Sequence, residues 1–120
     1  MARMHHRLVA WQEAMALVEG VYQLTETFPV HERYGLVGQM RRAAVSVPSN
    51  IAEGAGRSGA KEFGRFLLMA RGSLAELETQ VIIARMLGYA DSTVEIEERM
   101  ERVFALLAGL LNNVTVKGKD

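Results

Sequence analysis

Four stretches of apolar residues recur every three to four positions, with breaks of only a few residues between them. This is the period of the α-helix, and it constrains the chain more than any other feature. In the first stretch, 9–28, Trp11, Met15, Val18, Tyr22 and Thr25 form one row. Ala14, Leu17, Val21, Leu24 and Phe28 form the row beside it, with Gln12, Glu13, Glu19, Gln23 and Glu26 mainly opposite. Phe28-Pro29 ends the stretch, because a residue before proline is pushed out of the helical region. In the second, 32–55, the stripe is Val37, Met40, Ala44, Val47, Ile51 and Ala55. In the third, 60–87, it is Phe63, Phe66, Leu67, Ala70, Leu74, Leu77, Val81 and Ala84, with Ser58 a candidate N-cap and Gly88 placed to end the helix. In the fourth, 92–112, it is Ile96, Met100, Val103, Leu107 and Leu110. Asp91, Glu95, Glu97 and Glu98 crowd the end where the helix dipole favours negative charge.

Strand signals are absent apart from 114–116, in a segment, 114–120, that reads as a frayed tail. Four helices with short connections imply antiparallel neighbours, and the economical solution is an all-α, up-down-up-down four-helix bundle. Pro48 falls inside the second stretch. A proline in a straight helix interior costs about 3 kcal/mol, through a lost hydrogen bond and a clash with the carbonyl four residues back. The stretch therefore kinks near Pro48 or divides into two helices, and the unbroken apolar period favours the kink. Gly72 and Ser73 lie in the middle of the third stretch. A helical glycine costs about 1 kcal/mol relative to alanine, so close approach of a neighbouring helix is the expected compensation.

A chain of 120 residues fits one domain, 1–120, with its core over about 8–112 and flexible termini. With 49% hydrophobic and 23% charged residues it falls in the globular class, not the disordered one. It has no cysteine, which excludes disulfides, thiol catalysis and cysteine-ligated zinc in this chain. The opening MARMHHRLVAW lacks the apolar run of a secretory signal, and no window approaches about 18 uninterrupted apolar residues. The expectation is a cytoplasmic protein with no membrane partner.

Formal net charge is zero, which argues against binding of polyanions by the monomer as a whole. The distribution is uneven. Arg33, Arg41, Arg42, Arg57, Lys61, Arg65 and Arg71 face only Glu53 and Glu62 between positions 33 and 71, whereas acidic residues outnumber basic ones from Gly72 onward. A basic flank and an acidic flank suit complementary contacts between subunits, and equally a solvated surface. Arg57, Lys61, Arg65 and Arg71 are the candidates for contact with nucleic acid or another partner.

Residues suited to catalysis are scarce. His5, His6 and His31 are the only histidines, and none has a carboxylate or second histidine at the spacing that builds a metal site in a bundle. His5 and His6 fall in a segment expected to be mobile. The run Gly54-Ala-Gly-Arg-Ser-Gly59 lacks the preceding strand and the lysine-serine/threonine ending of a phosphate loop, and a helix cap and turn explains it. No nucleophile–base pair or carboxylate pair can be assembled, so neither a reaction nor a cofactor is expected. For the arginine pair, a hairpin turning near Arg57-Ser58 would set Arg41 and Arg42 opposite 73–74, within one helical turn of Glu76. The expectation is a structural ion pair between Glu76 and one of these arginines.

The segments WQEAMALVEGVYQLTETFP, ERYGLVGQMRRAAVSVPSNIAEGAGR, KEFGRFLLMARGSLAELETQ and ARMLGY resemble the bacterial family of proteins encoded in 23S ribosomal RNA intervening sequences. The likeness covers about 8–90, and RRAAVSVPSNIAEGAGR with GSLAELETQ is its most specific part. The resemblance implies a small cytosolic four-helix bundle that assembles as a homopentamer, with no established enzymatic activity. That family is similar in turn to the accessory protein of diversity-generating retroelements, a basic pentameric barrel that contacts a reverse transcriptase and nucleic acid. This chain departs from that pattern in being neutral, with a pI near 6.8. Its charge leaves two readings open: an oligomeric scaffold with an RNA or nucleoprotein partner, and a structural or protein-binding module without nucleic-acid affinity.

A third argument for assembly comes from the residues themselves. Trp11 and Leu17 in the first stretch, and Leu68, Met69, Ile82 and Ile83 in the third, lie on apolar rows beyond one core stripe per helix. Such rows would leave apolar surface exposed on a single copy.

Overall fold

The computed structural model describes residues 2–118, with side chains through Thr115. It is a four-helix, all-α bundle: α1 is Val9–Thr25, α2 Leu36–Ala55, α3 Ala60–Met86 and α4 Val94–Gly118. Two short 3-10 turns, Met4–Arg7 and Val30–Glu32, precede α1 and α2. No strand occurs among the described residues. Across α2 and α3, Ser46 meets Ser73 and Gly54 meets Phe66. Across α1 and α4, Glu13 meets Arg102 and Gly20 meets Ile96. In each pair of helices the numbers rise along one as they fall along the other.

The apolar stripes of α2, α3 and α4 form the core, with Met40, Val47, Ile51, Leu67, Leu74, Leu77, Val81, Met100, Val103 and Leu107 fully buried. On α1 the two rows divide. Ala14, Leu17 and Val21 are buried, while Trp11 and Val18 are half-buried and Met15 and Tyr22 exposed. Leu17 therefore belongs to the core, not to a surplus row.

Several boundaries move from their expected places for local reasons. α1 stops at Thr25, three residues short of Phe28, where the backbone tightens through hydrogen bonds from Glu26 N–H to Gln23 O and from Phe28 N–H to Thr25 O. α2 starts at Leu36 and not at 32, because Pro29 feeds a 3-10 turn and Gly35 sits outside helical geometry. α4 continues through Gly118, so the expected fraying over 114–120 does not hold as far as that residue; 119–120 lie outside the described residues. The N-terminal segment is also ordered. His5 and His6 lie 5.3 and 5.2 Å from the Trp11 ring, and Gln12 Nε2 donates to the His6 carbonyl at 2.8 Å.

α2 is one helix through the buried Pro48, so it does not divide there. Proline has no N–H for the carbonyl of Ala44. Side chains add donors to the neighbouring carbonyls: Ser49 Oγ donates to Val45 O at 2.7 Å and Asn50 Nδ2 to Ser46 O at 2.9 Å.

Two glycines explain the close packing and the α3 terminus. A Cβ on Gly54 would lie 2.6 Å from Phe66 Cβ, so α2 and α3 approach each other there only because the side chain is absent. Gly88, at φ 73°, ends α3 in a Schellman arrangement, with its N–H bonded to Arg85 O and the Tyr89 N–H to Ala84 O at 3.0 Å. Ser58 does not cap α3; Gly59 occupies the N-cap position. Gly72 is exposed, and a Cβ placed there would meet nothing within 4 Å, so among the described residues no neighbouring helix compensates for it.

Candidate interaction surface

Arg41 points across the bundle to the last turn of α1. Its Nε donates to Thr25 Oγ1 at 2.9 Å, and a terminal nitrogen donates to the Tyr22 carbonyl at 3.4 Å and lies 3.9 Å from Glu26 Oε2. The guanidinium sits 4.5 Å from the centre of the Tyr22 ring. A cation is favoured here, where the helix leaves unpaired carbonyls and the negative end of its dipole. The expected ion pair with Glu76 therefore does not form. The connection between α2 and α3, 56–59, lies where the sequence argument placed the turn; Arg41 instead reaches toward α1, whose C-terminus offers it a set of acceptors, while Glu76 is exposed on α3.

Arg42 and Glu76, the other members of that expected pairing, are both exposed. Arg42 lies beside Gly38 and, among the described residues, has no carboxylate within 4 Å. Glu76 accepts a hydrogen bond at 3.2 Å from Gln80 Nε2 and has no basic partner among those residues.

Of the other basic candidates, Arg57 and Arg65 converge on one ring, their guanidinium carbons 5.3 and 4.6 Å from the centre of Phe66. Each also has a local carboxylate. Arg57 bonds Glu53 at 2.9 Å, and Arg65 grips Glu62 through two nitrogens at 3.2 and 3.1 Å. The hydrogen bonds from Arg65 hold the Glu62 carboxyl below its usual range. Lys61 is exposed one turn before Arg65, and Arg71 is exposed further along α3. Arg57, Lys61 and Arg65 thus gather at the α2–α3 end, away from Arg41 and Arg42.

Glu32 is a polar anchor that the apolar pattern did not reveal. Tyr89 Oη donates to one carboxylate oxygen at 2.8 Å and the Leu36 N–H to the other at 3.2 Å. The Tyr89 hydrogen bond and, next, the Leu36 amide lower the Glu32 carboxyl from its ordinary value; the same contact, with burial, raises Tyr89. The one sequence signal was position: Glu32 stands four residues before the first helical amide of α2. Among the described residues, no three histidine, aspartate or glutamate side chains gather as a metal site, and no helix is long and apolar enough to cross a membrane.

One uncommitted surface between α1 and α2 is apolar. Trp11, Met15 and Val18 of α1 and Val45, Pro48 and Ala52 of α2 line a groove between the two helices, which continues past Tyr22 to Arg42. Elsewhere, Leu68, Met69 and Ile83 of α3 are exposed, while Ile82 is half-buried. A family model described as 23S rRNA-intervening sequence protein matches residues 6–109. No curated protein matches the chain.

Proposed function

Because the chain belongs to the 23S rRNA-intervening sequence protein family, with the match spanning nearly the whole bundle, we propose that it acts as a non-enzymatic scaffold built from several identical copies in the cytoplasm, most simply a ring of five. The observation that carries this reading is the apolar surface left on a single copy. Met15 is 45% and Val45 41% exposed beside the half-buried Trp11, and Leu68 is 49% exposed on another helix. Burying such surface favours association by about 25 cal/mol per Å². The five-fold count rests on the family resemblance and not on the shape of one chain.

A second reading gives this scaffold an RNA or nucleoprotein partner. It is favoured by the gathering of Arg57, Lys61 and Arg65, which a ring would repeat around one rim, with Arg71 nearby. The ion pairs with Glu53 and Glu62 weaken its local positive charge, so the scaffold reading stands first.

Sedimentation velocity tests the first reading. The wild-type chain should sediment as a defined assembly, and Val45→Glu should yield folded single copies; a wild-type protein that stays a 13.3 kDa species at micromolar concentration overturns it. Retention on single-stranded RNA tests the second. Phosphate contacts should weaken steeply between about 50 and 200 mM salt, and Lys61→Ala with Arg71→Ala should weaken retention further. A wild-type assembly that passes RNA unretained at low salt removes the nucleic-acid reading and leaves the scaffold.

A further inference from the structure

α3 is apolar on two opposite sides. One side, through Leu67, Leu74, Leu77 and Val81, is the core. On the other, Leu68, Gly72, Ala75, Thr79, Ile83 and Met86 are all exposed and step by three or four residues. At 3.6 residues per turn these six share a single face, and at 1.5 Å per residue the face runs about 27 Å. None of the six is charged. The charges begin only at its borders, with Glu76 along one edge and Arg71 and Glu78 along the other. A helix face directed at water ordinarily has charged residues at such positions.

Gly72 sharpens the point. Its backbone is helical, it has open space around it, and a helical glycine costs about 1 kcal/mol relative to alanine. At Gly54 the same cost is offset by contact with Phe66. At Gly72 nothing among the described residues offsets it, and the open space leaves room for a close neighbour from another molecule.

The α1–α2 groove is its counterpart. It is apolar along Trp11, Met15 and Val18 on one wall and Val45 and Ala52 on the other, with His5 beside Trp11, and it ends at Arg41, which is engaged with α1, and at Arg42, whose guanidinium is unpaired by any described carboxylate. The α3 face has the complementary feature, a Glu76 with no basic partner among the described residues, one turn from Gly72. We infer that the α3 back face of one copy seats in the α1–α2 groove of the next, with Gly72 and Ala75 against the Met15–Val45 region and Glu76 reaching Arg42. The residue types that failed to pair within the chain thus pair between chains.

This inference rests on the reading that copies associate, and it specifies how. Two different faces meet, so the contact is heterologous: each copy offers a groove to one neighbour and a helix to another, and repetition closes a ring when the rotation permits. Two α3 faces pairing with each other would instead make an isologous dimer.

The chain has no cysteine, which allows a clean cross-linking test. α1 and α3 are not neighbours in the bundle, so Met15→Cys and Ala75→Cys in one chain are poorly placed to be joined to each other. With a short bis-maleimide, this double variant should give a ladder of linked chains, and each single variant should stay unlinked. Pairs formed by Ala75→Cys alone would show α3 faces back to back, and pairs formed by Met15→Cys alone would show grooves face to face; either overturns the inference. A double variant that does not link, while light scattering still reports an assembly, overturns this pairing but leaves self-association standing. A single-chain mass overturns both. In a second arm, Arg42→Glu should raise the concentration at which the assembly dissociates at least tenfold, with helical circular dichroism unchanged. Adding Glu76→Arg should reverse that change. An Arg42→Glu assembly as tight as the wild type, or a failure of Glu76→Arg to restore it, rejects the ion pair.

Discussion

Arg41 and Gln80 show how single side chains settle the interior of this bundle. Arg41 satisfies the end of α1 through Thr25 Oγ1 and the Tyr22 carbonyl. Arg41→Ala is therefore expected to lower stability by about 1 kcal/mol, the scale of one hydrogen bond reinforced by a helix dipole, read as a lower thermal midpoint. Glu76→Ala, measured on dissociated chains, should leave that midpoint nearly unchanged, which would confirm that the two do not act together within a chain. Gln80 is 5% exposed, with its Nε2 bonded to Glu76 and its Oε1 without a partner among the described residues. Gln80→Leu should be neutral or stabilising by about 1 kcal/mol in urea denaturation, since burying an unpaired amide oxygen is unfavourable. A loss of more than about 1 kcal/mol would mean that the amide has a role in packing that its contacts do not reveal. The glycines make a matched pair at this scale. Gly54→Ala should destabilise strongly, because its Cβ would meet Phe66 Cβ at 2.6 Å, whereas Gly72→Ala should stabilise a dissociated chain by up to about 1 kcal/mol.

At the scale of elements, the Glu32–Tyr89 contact ties the α1–α2 connection to the α3–α4 connection, and it makes a pH prediction. The folded-state value of Glu32 is lowered from 4.5, so folding favours the ionised carboxylate. That contribution is present above the unfolded value and is lost as pH falls through the lowered folded value. Thermal stability should therefore decline as the solution is acidified below about 4.5, and Glu32→Gln should flatten the decline while Tyr89→Phe reduces it. An acid limb unchanged in both variants would assign it to other carboxylates. The elements are also where the sequence was most and least legible. The stripes of α2 and α4 needed only periodicity, because each has a single strongly apolar face; on α3 the exposed back is uncharged too, and the run of large residues Leu67, Leu74, Leu77 and Val81 marks the core side. On α1 two adjacent rows are both apolar, and period alone cannot choose between Leu17 and Met15; the positions of α2 and α4 make that choice. The Arg41 partner was misplaced for a different reason. The turn falls where expected, but facing positions say only which residues are level with one another and not which way their side chains point: Arg41 reaches toward α1, and Glu76 is exposed. Glu32 and Tyr89 are 57 positions apart in the chain and leave no local pattern at all.

At the scale of the whole molecule, the sequence and the fold converge on a bundle with more apolar surface than its own core uses. The surplus is divided between the α1–α2 groove and the back of α3, on different sides of the molecule, which is the arrangement a ring requires. A neutral chain suits this role, since copies with a basic region and an acidic region attract one another without a large net repulsion. Light scattering on tag-free protein, followed by dilution through the micromolar range, tests the central claim most directly. A stable mass near five times the 13.3 kDa of one chain is expected; a mass that stays at a single chain throughout would rule out the ring.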